Sequence, residues 1–142
     1  MNFNRPYKQI VINMGRVYVI LFPLCILCNS YAQKIKWQAW GENAFISAKN
    51  QHKPVFLDVG TEWCTACNLM EENTYTDTTI VGILNRNFIT IKADAEAQPD
   101  VGARFLQWGW PALIFLDSDG NQLTALQGNR RAGVFIEILN DF

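Results

Sequence analysis

Histidine is almost missing from this 142-residue chain, which has only His52, and cysteine is scarce at four residues. No charge of one sign dominates. The formal net charge is −1, so composition carries no electrostatic footprint for nucleic acid. The longest apolar run, "VYVILFPLCILC" from Val17 to Cys28, falls short of the roughly 20 residues that a transmembrane helix needs. Internal repeats and low-complexity tracts are absent too. What is present is a chain of 49% hydrophobic content, sized for one compact domain with its own core.

The first 32 residues differ from the rest. They carry Arg5, Lys8 and Arg16 but no acid, then the apolar run, then small and polar residues ending in Ser30-Tyr31-Ala32. A basic start, a short apolar stretch and a small-residue site form a secretory signal, with cleavage expected after Ala32. An uncleaved membrane anchor is the alternative. Cys25 and Cys28 read as small apolar residues of this run; Cys28 follows Leu27 rather than Gly or Ala, which argues against lipidation. The domain is then residues 33–142. It keeps nine of the twelve Lys and Arg against all thirteen Asp and Glu, for a charge near −4.

That domain holds two cysteines, Cys64 and Cys67, in "DVGTEWCTACNLMEENT". A bridge closing so small a loop adds little stability, so the pair is not a structural framework. A metal clamp, a redox couple and two inert thiols are the competing readings. Structural zinc needs two further ligands, and the domain offers only His52. Covalent haem attachment needs His directly after the second cysteine, where Asn68 stands.

Periodicity predicts a helix from about Glu42 to Gln51, stopped by Pro54, then a buried strand "VFLDVG". A helix follows from Thr65 through Met70, with a break around "TYTDTT". Thr78 or Thr79 is the expected cap of a further turn through Ile80, Ile83 and Leu84. "FITIKAD" alternates as a strand, and "PDVGARFLQWG" reads as a short helix between Pro99 and Gly109. "ALIFLD", a turn at "SDG" and "NQLTALQG" form a hairpin, and an amphipathic helix closes the chain. The shortness of that helix predicts incomplete packing on the sheet, and a weak first strand is expected at Lys34 to Trp37. The order α-β-α-β-α-β-β-α implies an α/β fold, a central mixed β-sheet flanked by helices on both faces. "DSDG" lacks the remaining acids of a calcium loop and reads as a turn. His52, Glu71 and Glu72 read as solvated surface.

Cys64 falls where strand and loop give way to helix. Unpaired N–H groups there stabilise a thiolate. Cys67, three residues later on the same side, can reach a mixed disulfide formed on Cys64, the resolving step of thiol–disulfide exchange.

"FLDVGTEWCTAC", "WGWPALIFLD" and "SDGNQL" resemble the thioredoxin superfamily over nearly the whole domain. "KPVFLDVGTEWCTACNLMEENTYTD" is most similar to the periplasmic C-terminal domain of the transmembrane thiol:disulfide interchange reductase. "ILNRNFITIKADAEAQPDV" also resembles thioredoxin-like proteins with a WCHxM-like site. The resemblance implies a thioredoxin-like fold with Cys64 as nucleophile, Cys67 as resolving thiol and a redox disulfide between them. It implies a cis-proline at Pro111 whose backbone lies against the disulfide and pairs with an extended substrate segment, and in Asp58 a buried acid that takes the Cys67 proton. Lys92 matches the lysine facing that acid, and Trp63 a shield over the disulfide. Trp110, before Pro111, and nearby Trp108 are candidates for an aromatic substrate platform, with core packing as the alternative.

Thr65-Ala66 between the cysteines includes no His, which tilts the expectation toward a reductant. The expected function is therefore a periplasmic or secreted thiol–disulfide oxidoreductase that reduces disulfides of exported proteins. It needs no cofactor, metal or nucleic acid, and meets the membrane only through an uncleaved signal. Its partners would be proteins bearing disulfides or thiols and an upstream protein electron donor. An oxidase or isomerase, and a redox-sensitive binding or chaperone module without turnover, are the alternatives.

Overall fold

The computed structural model describes residues 33–142; the expected signal sequence and its expected cleavage after Ala32 lie outside the described residues. Five strands form one sheet: β1 (Gln38–Ala39), β2 (Val55–Gly60), β3 (Ile89–Asp94), β4 (Ala112–Leu116) and β5 (Gln122–Gln127). Five helices surround it: α1 (Glu42–Gln51), α2 (Thr65–Asn73), α3 (Thr78–Asn87), α4 (Pro99–Phe105) and α5 (Ala132–Asn140). The spatial order is β1-β3-β2-β4-β5. β2 pairs parallel with β3 and antiparallel with β4, so its backbone is bonded on both edges. Helices cover both of its faces, and "VFLDVG" is correspondingly apolar almost throughout.

Alternation along β2 sorts the two cores. Val55, Leu57 and Val59 face α1 and α4, meeting Ala44, Ala48, Val101 and Phe105. Phe56 and Asp58 share the other face, where Phe56 joins Met70 of α2, Ile80 and Leu84 of α3, and Phe135 and Leu139 of α5. Each such Leu or Phe contributes about 1.5–3 kcal/mol by leaving water. Phe135 and Leu139 are fully buried, while Val134 of the same helix is exposed and Ile136 and Ile138 are partly buried, so α5 packs on the sheet through one face.

The other local differences have physical reasons. Segment 34–36 does not form the expected strand because side chains hold it. Asn85 donates to the Lys34 carbonyl and accepts from the Lys36 N–H, while the Thr90 hydroxyl donates to the Lys36 carbonyl. Ladder pairing starts only at Gln38, against Ile91. The cap of α3 is Asp77 rather than Thr78 or Thr79. Its carboxylate accepts from Thr79 N–H at 2.8 Å and Ile80 N–H at 3.1 Å, and an ionised acceptor is favoured at a helix N-terminus. The helix starting at Pro99 tightens into a 3₁₀ turn over Leu106–Trp108 before Gly109. Asp117 ties the β4–β5 turn by accepting from the N–H groups of Asp119 and Asn121 and from the Asn121 amide.

Candidate redox site

β2 delivers its chain into a short loop, and α2 begins immediately after Cys64. Cys64 is extended at φ −76°, ψ 102° and caps the helix with its sulfur, which accepts the Cys67 N–H at 3.1 Å. A donor of the first helical turn, shared with the Cys64 carbonyl, thus points at the sulfur that would carry charge as a thiolate. Cys64 and Cys67 are joined by a disulfide with Cα atoms 5.2 Å apart. Cys64 is 5% exposed, whereas Cys67 is half-buried and lines a cavity of about 550 Å³.

That cavity is walled by Asp58 and Gly60 of β2, Cys67 and Glu71 of α2, Lys92 of β3, and Trp37. Gly60 permits the approach of the disulfide to the strand: a Cβ there would stand 2.8 Å from Cys67 Sγ. Asp58 is 3% exposed. Burial pushes its carboxyl up to about 6, against the lowering influence of the Lys92 charge and the Tyr75 hydroxyl. A group titrating there can accept a thiol proton near neutral pH and release it again.

Tyr75 follows α2 and was not singled out by sequence. Its hydroxyl approaches Asp58 from inside the second core, and burial together with the carboxyl's charge pushes the phenol well above its ordinary range. The approach falls short of a regular hydrogen bond: Asp58 Oδ1 and the Tyr75 hydroxyl are both enclosed and without a partner among the described residues. The two are facing groups rather than a bonded pair. Nothing in "TYTDTT" signals this, because the burial of Tyr75 comes from Phe56, Trp37 and the distant Phe135.

Lys92 stands opposite Asp58 in the β2–β3 register, but its ammonium pairs with Glu71 Oε1. It acts on Asp58 through its field, not by direct contact. Glu71 is thus not merely solvated helix face. Trp63 is 67% exposed, so it is not core filler, and its indole N–H donates to Glu96 at 2.9 Å. Trp108 and Trp110 are half-buried and lean on the core beside α1 and α4, which favours the packing alternative for both. The Trp110–Pro111 bond is cis, and the Pro111 carbonyl accepts the Gly128 N–H. Among the described residues, no three His, Cys, Asp or Glu side chains gather as a metal site.

The family model Thioredox_DsbH, "Protein of unknown function, DUF255", matches residues 25–130. An uncharacterized Caenorhabditis elegans protein is 38% identical over 98 residues, covering 63% of this chain and 13% of that protein. The thiol:disulfide interchange protein DsbD of Yersinia pestis (strain Pestoides F) is 33% identical over 102 residues, covering 68% of this chain and 17% of that protein. The chain therefore spans less than a fifth of the length of these two curated relatives. Among solved structures, the oxidised C-terminal domain of Neisseria meningitidis DsbD matches with a TM-score of 0.59 and 25% identity. That match covers 70% of this chain and 89% of the Neisseria domain.

Proposed function

The chain belongs to the thioredoxin-like DsbH family, DUF255, and from that membership we propose that it is a thiol–disulfide oxidoreductase reducing disulfides of exported proteins. The observation that carries this reading is the enclosed Asp58 carboxyl sharing a cavity with Cys67, directly behind the disulfide. Inert thiols have no use for a buried acid held near 6.

In the reducing direction, the Cys64 thiolate attacks one sulfur of the substrate disulfide. The substrate S–S bond breaks, a Cys64–substrate disulfide forms, and the departing substrate sulfur takes a proton from solvent. Cys67 then passes its proton to Asp58 and attacks Cys64 Sγ. The mixed disulfide breaks, the Cys64–Cys67 disulfide forms, and the second substrate sulfur, released as a thiolate, takes its proton from solvent, so that the substrate leaves carrying two electrons as a dithiol. Recharging takes two electrons from an upstream protein donor, and Asp58 returns its proton through the cavity. Support for the direction comes from Thr65-Ala66, which places no imidazolium beside the Cys64 thiolate to favour the reduced form of the protein. Support for export comes from the signal-like N-terminal pattern, a basic start, a short apolar run and a small-residue end, which fits a periplasmic or secreted location.

Insulin reduction driven by dithiothreitol tests the activity. The full chain is expected to accelerate it and Cys64→Ser to abolish the acceleration; equal rates would leave only a binding module. The direction is tested by the Cys64–Cys67 reduction potential, expected below roughly −200 mV. A value near about −120 mV would make the protein an oxidant.

A further inference from the structure

One oxygen of Asp58 suffices to take the Cys67 proton, which leaves the other without a role. Oδ1 is wholly enclosed and lacks a partner among the described residues, and so does the Tyr75 hydroxyl. Two enclosed polar groups without partners are costly unless they serve one another in some state of the molecule. Their surroundings bring them together. Asp58 and Phe56 lie on the same face of β2, and the Tyr75 ring packs against Phe56 at 6.4 Å and Trp37 at 5.2 Å. Trp37 and Glu71 in turn form the partition between the Cys67 cavity and a second one, of about 370 Å³, that Tyr75 lines.

We propose that Tyr75 is a positioning residue of the redox site, its phenol donating to Asp58 Oδ1 whenever the carboxyl is ionised. The other carboxyl oxygen is thereby left facing the cavity and free to receive the Cys67 proton. The assignment rests on the oxidoreductase reading of the cysteine pair. A phenol suits the task because it stays protonated through the working range: burial and the Asp58 charge both oppose its ionisation. A hydrogen bond to the charged form favours that form, so Tyr75 holds Asp58 competent as a base against the desolvation that works to neutralise it.

Other charges also face Asp58. Lys92 comes from β3 and Glu71 from α2, while Glu62 and Asp94 stand at the cavity rim. Lys92 is the cation among them, and it is already engaged by Glu71. On the Tyr75 side, Lys34 borders the second cavity. Tyr75 is an enclosed neutral donor facing the carboxyl; the Thr61 hydroxyl, also enclosed and without a partner among the described residues, lines the Cys67 cavity instead.

The test is the titration of Asp58, followed by the ¹³Cγ shift in the full oxidised chain and assigned with Asp58→Asn. In Tyr75→Phe, which keeps the ring and its packing, the midpoint is expected to rise by about one pH unit, as loss of a bond to a charged acceptor implies. Purely structural packing by Tyr75 leaves the midpoint within about 0.2 unit, and that result overturns the proposal. A second measurement needs no variant at Tyr75. The tyrosine hydrogen-bond marker in the resonance Raman spectrum is expected to change as wild-type Asp58 titrates and to stay flat in Asp58→Asn; a flat wild-type signal also overturns it. Both readouts use the resting protein, so a failed insulin assay would defeat the oxidoreductase reading separately from this one.

Discussion

Asp58 and Lys92 occupy partnered positions on adjacent parallel strands, yet the lysine turns its ammonium to Glu71 on α2. The acid behind the disulfide is therefore left without a direct counter-ion. Its protonation reflects burial first and the lysine's field second. Several outcomes of this arrangement can be measured.

Asp58 binds its proton more tightly in the folded chain, at about 6, than in the unfolded chain, near 3.8. The folded state thus carries the extra proton between these values, and stability falls as pH rises through them. The loss attributable to Asp58 is on the order of 3 kcal/mol, complete above about pH 6 and absent below about pH 4. Asp58→Asn is expected to remove this component, so the variant exceeds wild type in urea unfolding at pH 8 and matches it near pH 4. The same variant should slow release of a trapped Cys64 mixed disulfide at neutral pH.

Lys92→Met removes the charge that holds the Asp58 carboxyl down, so the Asp58 midpoint should move upward in a ¹³C titration. The Lys92–Glu71 pair is 45% and 39% exposed, and its loss should cost under about 1 kcal/mol in urea unfolding. A large destabilisation with an unmoved midpoint would contradict the role assigned to Lys92.

Gly60→Ala places a methyl 2.8 Å from Cys67 Sγ. Either the strand or the disulfide must shift, and overpacking of this kind costs about 1–3 kcal/mol. Calorimetry of the oxidised protein should show the loss. Attack by Cys67 on a Cys64 mixed disulfide should slow as well, since Cys67 is the atom displaced.

Trp63→Ala should leave stability within about 0.5 kcal/mol, as expected for an exposed side chain. If Trp63 contacts the substrate, KM for insulin should rise about tenfold, in line with loss of an exposed aromatic anchor. An unchanged KM would reduce Trp63 to its bond with Glu96.

The strongly patterned parts of this fold were legible from sequence. "VFLDVG" as a central strand, the β4–β5 hairpin and the placement of Cys64 at the start of α2 all follow from local composition. What was not legible depends on distant partners. β1 begins at Gln38 because Asn85 and Thr90 hold the preceding residues. Glu71 meets Lys92 across 21 residues of sequence. Tyr75 sits in a stretch with no periodicity and becomes part of the site only when Phe56, Trp37 and Phe135 close around it. Asp77 outcompeted the two threonines beside it because a charged acceptor at a helix start outweighs a hydroxyl.

The enclosure of Cys64 also bears on how long the site endures. Irreversible oxidation of a cysteine follows thiolate character and access together. Here the helix N-terminus favours the first once the bond is reduced, while in the disulfide form only 5% of the residue surface is open. A stray peroxide molecule meets a narrow target, and a sulfenic acid formed there lies beside Cys67, which can condense with it to the disulfide before further oxygen adds. The same covering that restricts partners thus makes accidental oxidation largely recoverable.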